Sequence, residues 1–193
     1  MKKDIILAGV GGQGILSIAT VIGSAALRQE LHLKQAEVHG MSQRGGDVQS
    51  HLRISSDTIH SDLIPRGGAD LIISLEPMEA LRYQPWLAKE GWIITNTTPL
   101  VNIPNYPDME AVRASFAKLP NVIAIDVDAI AKEAGSPRSA NMVLLGAAAS
   151  VLGMLDPDKL RDGIRSVFMR KGQEIVDANI KAFDAGLASA VKR

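Results

Sequence analysis

Glycines near the amino terminus have the spacing of a phosphate-binding turn. Gly9, Gly11 and Gly14 fit the pattern G-x-G-x-x-G within the stretch GVGGQG, which follows a short apolar run. Such a turn brings backbone N–H groups close to an anion at the start of the next helix. The residues of this turn that we predict to bind a cofactor are Gly11, Gly12, Gln13 and Gly14.

The identity of the anion stays open at this point. Glu37 closes the next candidate strand at about the distance, roughly 20 residues, at which dinucleotide-binding folds place a ribose-binding carboxylate. This spacing favours a stand-alone NAD(P)-binding Rossmann oxidoreductase. Against it, no later Asp–His pair offers a hydride-transfer acid or base. A third interpretation is that the glycines only permit tight packing between the strand and the helix.

A second polar stretch, HGMSQRGG, follows the next candidate strand. Arg44 supplies a fixed fork of donors for a carboxylate or phosphate, and Gly45 and Gly46 permit a sharp turn or a nest of N–H groups. Ser42 and Gln43 add neutral hydrogen-bonding groups. We therefore predict that this loop positions a substrate carboxylate, a cofactor phosphate or a partner loop. The predicted supporting catalytic residues are Ser42, Gln43 and Arg44, and the predicted cofactor-binding residues are Gly45 and Gly46.

Composition narrows the classes of function. The chain has 193 residues, 46% of them apolar, and we expect a single domain over residues 1–193. Lys plus Arg and Asp plus Glu both number 21, so the charge balance does not favour nucleic-acid binding. The absence of cysteine excludes disulfides, a thiol nucleophile and a cysteine-held iron–sulfur cluster on this chain. The four histidines lack metal-site spacing, and no apolar run reaches the ~18 residues of a membrane span, so we expect a metal-free cytoplasmic protein.

Strand-like and helix-like segments alternate along the chain. This alternation predicts an α/β, Rossmann-like three-layer fold with a mostly parallel doubly wound sheet, a β-hairpin-like insertion and a helical C-terminal third packed on the sheet. The predicted strands cover 4–9, 33–38, 47–54, 69–75, 91–96 and 121–126, with a short returning strand at 58–64. The predicted helices cover 14–29, 76–87, 108–118, 127–135, 139–153, 157–168 and 172–191.

Together, three motifs resemble those of a known family. The turn GVGGQG, the loop HGMSQRGG and the later stretch NMVLLG, residues 141–146, are similar to the gamma component of the 2-oxoacid:ferredoxin (acceptor) oxidoreductases. Within that family the resemblance points to the indolepyruvate ferredoxin oxidoreductases. It extends from residue 4 to about residue 185, and the combination is far more specific than the glycine pattern alone.

The resemblance implies a subunit rather than a complete enzyme. The family decarboxylates 2-oxoacids oxidatively with thiamine diphosphate, passes electrons through iron–sulfur clusters to ferredoxin and yields acyl-CoA. This chain lacks the thiamine-binding pattern G-D-G, since Asp162 and Gly163 follow Arg161, and it lacks cysteines. Thiamine diphosphate, Mg²⁺ and the clusters are therefore expected on a larger alpha subunit, with CoA at the interface and ferredoxin reached through the complex. A homodimer of the isolated chain, with no nucleic acid or membrane partner, and a non-catalytic assembly module remain further hypotheses.

Overall fold

All six described strands lie within the first two thirds of the chain, up to residue 125, and the described elements after that are helical. The structure, a computed structural model, describes residues 1–39 and 45–191. The strands are β1 (Lys2–Val10), β2 (His32–His39), β3 (Asp47–Ser55), β4 (Ala69–Ser74), β5 (Leu87–Asn96) and β6 (Val122–Ile125). The helices are α1 (Ile15–Leu27), α2 (Pro77–Arg82), α3 (Met109–Phe116), α4 (Val127–Glu133), α5 (Ala140–Leu152), α6 (Pro157–Phe168) and α7 (Gln173–Val191), with 3₁₀ turns at Gln84–Trp86 and Met169–Lys171.

The strands form one six-stranded sheet in the order β2-β3-β1-β4-β5-β6. Strands β1, β4, β5 and β6 run parallel, whereas β3 is antiparallel to both β1 and β2. This topology confirms the mostly parallel sheet, whereas the antiparallel hairpin is formed by β2 and β3 and not, as predicted, by residues 47–54 and 58–64. The parallel strands end along one side of the sheet, which we call the carboxyl edge. Open α/β sheets place their ligands there.

The predicted strand at 58–64 is wrong. Its intended neighbour β3 is already paired on both sides, with β1 and with β2, and has no free edge for a returning strand. The segment is held by side chains instead. Arg53 Nη1 donates to the carbonyls of Ser61 and Leu63, both at 3.0 Å, and His51 Nδ1 accepts from the N–H of Ile64 at 3.0 Å. Burial, and secondarily the charge of Arg53, lowers the pKa of His51, which favours the neutral ring that this bond requires.

Both faces of the sheet are covered, as the continuous apolar runs predict. Along β1, the side chains of Ile5 and Leu7 pack toward α1 and the C-terminal helices, while those of Ile6 and Ala8 pack toward α2 and α3. All four are fully buried. The helical last third thus shares one core with the sheet, as expected. Within the described ranges, no helix is long and apolar enough to cross a membrane.

The backbones of α5 and α7 approach each other closely in that core. A Cβ atom added to Gly146 would lie 1.9 Å from the carbonyl oxygen of Phe183, and one added to Gly186 would lie 1.9 Å from that of Val143. Only glycine fits such an approach, because both neighbouring atoms belong to the backbone. This contact fixes α5, whose first turn reaches the carboxyl edge, against α7.

Candidate functional site

The two glycine motifs of the sequence meet at the carboxyl edge. The N–H of Gly11 donates to the carbonyl of Gly46 at 2.8 Å, and the N–H of Gly45 donates to the carbonyl of Gly11 at 3.4 Å. These bonds continue the ladder between β1 and β3, in which Val10 faces Asp47. The glycine turn between β1 and α1 is therefore tied to the residues that close the HGMSQRGG loop.

Two positions of the glycine turn have positive φ angles, a backbone conformation that favours glycine. Gly12 and Gly14 have φ angles of +101° and +86°, which L residues with a side chain rarely adopt. A Cβ on Gly14 would lie 2.7 Å from Nδ2 of Asn141, which donates to the carbonyl of Gly14 at 3.2 Å. A Cβ on Gly12 would meet nothing within 4 Å. Gly12 therefore borders open space, while Gly14 contacts the first turn of α5.

Gln13 has a role inside the fold. Its Oε1 accepts from the N–H of Val10 at 2.8 Å, and its Nε2 donates to the carbonyl of Leu75 at 3.2 Å. The side chain thereby joins the ends of β1 and β4, two parallel neighbours. These bonds account for a glutamine in a turn that otherwise needs only glycine.

A cavity of about 590 Å³ opens beside this turn. We call it the glycine-turn cavity and define it by Gly12, Gly14, Ser17, Ser139, Asn141 and Lys171. The first turns of α1 and α5 both border it, since Gly14 and Ser139 are the N-caps of these helices. Two helix N-termini present backbone N–H groups and partial positive charge to the same space.

Positive and neutral polar side chains complete the wall of the glycine-turn cavity. Arg138 and Lys171 line it, are exposed, and form no ion pair with any described residue. The Lys171 ammonium lies 5.6 Å from the ring centroid of Phe168. Ser136 and Ser139 are 6% and 5% exposed, and their hydroxyls make no hydrogen bond within the described part of the chain. Unused donors, two cations and two helix N-termini together suit a phosphate-bearing ligand.

A smaller cavity of about 240 Å³ continues along the edge and shares Gln13 and Ala140 with the first. Asn96 lies at its side, where its Oδ1 accepts from the N–H groups of Thr98 and Val127, both at 3.2 Å. The two cavities together follow the ends of β1, β4 and β5. An elongated ligand could occupy both.

The structure weakens the dinucleotide interpretation. In a dinucleotide-binding fold the acidic residue ends the strand beside β1. Here β3 lies between β1 and β2, so Glu37 sits one strand further away, about 5 Å beyond the expected position. The predicted residues Ser42, Gln43 and Arg44 lie outside the described residues, so their assignment stays a prediction.

Arg138, Ser139 and Lys171 line the glycine-turn cavity without having been predicted as site residues from the sequence. The stretch NMVLLG was the one signal that led there, because Asn141 contacts Gly14. Within residues 1–39 and 45–191, no group of three or more His, Asp or Glu side chains could hold a metal ion.

An open, mostly parallel sheet covered by helices on both faces, with a polar cavity at its carboxyl edge, places the protein in the doubly wound α/β class. Residues 4–189 match the family model of pyruvate ferredoxin/flavodoxin oxidoreductase. The indolepyruvate oxidoreductase subunit IorB of Archaeoglobus fulgidus is 37% identical, over 99% of this chain and 96% of that protein. The chain belongs to the pyruvate ferredoxin/flavodoxin oxidoreductase family and is a subunit of a 2-oxoacid:ferredoxin oxidoreductase. The stand-alone NAD(P) alternative is not favoured.

Solved structures share the fold. The gamma subunit of a keto/oxoacid ferredoxin oxidoreductase from Geobacter sulfurreducens has a TM-score of 0.77 at 23% identity and covers 100% of this chain and 98% of that chain. The 2-oxoglutarate:ferredoxin oxidoreductase of Magnetococcus marinus, solved with 2-oxoglutarate, coenzyme A and succinyl-CoA bound, also has a TM-score of 0.77, at 24% identity. This chain is covered completely in that match but spans only 31% of the larger protein.

Proposed function

We propose that the chain is the smaller subunit of an indolepyruvate:ferredoxin oxidoreductase and completes an active site carried by a larger partner subunit. The observation that carries the proposal is the 37% identity with an indolepyruvate oxidoreductase subunit along almost the whole of both chains. The reaction is the oxidative decarboxylation of an arylpyruvate to an acyl-CoA, with electrons leaving to ferredoxin through the complex. The proposal includes a cytoplasmic location.

Thiamine diphosphate, Mg²⁺ and iron–sulfur clusters belong to the partner in this proposal, because the residues of this chain do not fit them. A cluster needs cysteine thiolates or equivalent ligands, and the chain has no cysteine. The thiamine-binding pattern is absent as well, since Arg161 stands where the pattern requires glycine. The chain then contributes only binding and positioning groups.

We assign the phosphates of CoA to the glycine-turn cavity. Gly12 and Gly14 present their backbone, and Arg138, Ser139 and Lys171 add charged and neutral donors. CoA supplies the thiol that accepts the acyl group. The Magnetococcus marinus enzyme, of which this chain spans 31%, was solved with coenzyme A bound, which supports coenzyme A as a ligand of the proposed whole complex. We assign the rest of the molecule to the adjoining smaller cavity at the carboxyl edge.

We propose that Arg44, which precedes Gly45 in the sequence, binds an anionic group of the substrate or cofactor. Arg44→Ala should lower kcat/KM of the reconstituted complex for the 2-oxoacid about 10- to 100-fold, since it removes a charge-assisted contact to a desolvated anion. Steady-state kinetics with the larger subunit measure this loss. Arg28→Ala is the matched control, because Arg28 is exposed at the far end of α1. Equal kinetics for both variants in an intact complex would remove Arg44 from the active site.

A further inference from the structure

A second polar network at the carboxyl edge centres on the carboxylate of Glu76. Glu76 is 1% exposed and caps α2, where its Oε2 accepts from the N–H of Glu79 at 2.9 Å. Its Oε1 accepts from the N–H of Leu100 at 3.4 Å and from the hydroxyl of Tyr106. One buried carboxylate therefore accepts three hydrogen bonds, two of which come from the loop at 97–107.

The bonds to Glu76 hold a stiff segment. Burial, and secondarily the hydrogen bond to Glu76, raises the pKa of Tyr106, so its hydroxyl stays a donor throughout the neutral range. Hydrogen bonds to an ionised carboxylate are stronger than those between neutral groups. The loop contains Pro99, Pro104 and Pro107, whose rings restrict the backbone. Fixing the loop at Leu100 and Tyr106 thus limits the freedom of the residues between them.

The same loop reaches the glycine turn. Nδ2 of Asn102 donates to the carbonyl of Gly45 at 2.8 Å. The N–H of Gly45 in turn donates to the carbonyl of Gly11 at 3.4 Å, and Gly11 donates to Gly46 at 2.8 Å. A continuous path of hydrogen bonds and short chain segments therefore leads from Glu76 to the first residue of the glycine turn.

We infer that Glu76 is a positioning residue for coenzyme binding, acting through the 97–107 loop and Asn102 to fix Gly45 and the glycine turn. The inference rests on the proposed function, because it takes the glycine-turn cavity as the CoA site. Loss of the Asn102 bond lowers the fraction of molecules whose turn is in the binding-competent conformation. The apparent affinity for CoA falls by that fraction, while the chemical step on the partner subunit is unaffected.

The test uses the complex with the larger subunit and measures KM for CoA and kcat separately. Asn102→Ala and Tyr106→Phe should each raise KM for CoA about three- to tenfold, as expected for one lost hydrogen bond, and leave kcat within about twofold. Asn105→Ala is the matched control. Asn105 has an exposed side chain in the same loop and makes no hydrogen bond to a described residue. The KM for CoA of the Asn105→Ala variant should therefore equal that of the wild type.

The variant Lys171→Ala distinguishes the positioning role of Glu76 from the proposal that CoA binds in the glycine-turn cavity. If Lys171→Ala raises KM for CoA while Asn102→Ala and Tyr106→Phe do not, the positioning role is wrong and the CoA site stands. If Lys171→Ala also leaves KM for CoA unchanged, the CoA site itself is wrong. A fall in kcat at constant KM for Asn102→Ala and Tyr106→Phe would likewise overturn the positioning role.

Discussion

Replacing Gly146 with alanine should destabilise the chain by about 3 kcal/mol or more, the upper part of the range for overpacked cores. The new Cβ would lie 1.9 Å from the carbonyl oxygen of Phe183 and 2.9 Å from the backbone nitrogen of Leu187. No side-chain rotation can relieve a contact with backbone, so α5 and α7 must move apart. The higher helix propensity of alanine offsets only about 1 kcal/mol of this loss of stability.

Thermal and urea unfolding of the purified chain measure this effect. For a chain of this size a loss of 3 kcal/mol lowers the midpoint temperature by about 6–12 °C. Gly23→Ala is the matched control, because it makes the same change at a buried position of helix α1. Its Cβ would meet only the flexible Cδ2 of Leu33, at 3.0 Å, so its stability should stay within about 1 kcal/mol of wild type. Equal stability of the two variants would contradict the packing described for α5 and α7.

The stretch NMVLLG, residues 141–146, also contributes to the close contact between α5 and α7. Asn141, at the start of that stretch, donates to the carbonyl of Gly14 in the glycine turn. Gly146, at its end, allows α7 to approach α5. The stretch thus links helix packing in the core to the geometry of the glycine-turn cavity.

Reversing both cations of the glycine-turn cavity should weaken CoA binding by about 30-fold or more. In the double variant Arg138→Glu/Lys171→Glu, two attractions to phosphate become repulsions. Each attraction is discounted to about 1 kcal/mol because both side chains are exposed. The KM for CoA in the reconstituted complex measures the effect, which should shrink as salt is added.

The control for this double variant changes the net charge equally at a distance from the cavity. Arg28 and Lys118 follow the ends of α1 and α3, are exposed, and line neither cavity of the carboxyl edge. Arg28→Glu/Lys118→Glu should leave KM for CoA unchanged. A similar rise in both double variants would mean that net charge alone, rather than the cavity, attracts the coenzyme.

The sheet could be predicted because its parallel strands are buried on both faces. Such strands are continuous apolar runs in the sequence, and ADLIISL and GWIITN are two of them. The predicted ends of strands and helices were less accurate where they depend on pairing with a distant strand or on a proline. β1 starts at Lys2 because that residue pairs with Ser55 of β3. α2 ends at Arg82, well before the predicted Leu87, and Pro85 disfavours a continuing α-helix at the preceding residue.

The site could be predicted only in part, because most of its groups come from distant segments. Local spacing identified Gly12 and Gly14, whose conformation is a property of the turn itself. The contribution of Lys171 depends on how α6 and α7 pack. Glu76 directly precedes Pro77, a pattern typical of a helix start, and its bond to the N–H of Glu79 caps α2. The hydrogen bonds of Glu76 to Leu100 and Tyr106 could not be predicted, because they depend on where the 97–107 loop lies in the fold.

Whether this chain completes the active site of a larger, thiamine-binding partner is tested most directly by measuring activity with and without that partner. The two subunits are purified separately and assayed alone and mixed, for indolepyruvate- and CoA-dependent reduction of ferredoxin. We expect neither subunit to be active alone, the mixture to be active, and the two subunits to elute together on gel filtration. Full activity of the larger subunit by itself, or oxidoreductase activity of the isolated chain with NAD(P), would contradict the claim that this chain completes a partner's active site.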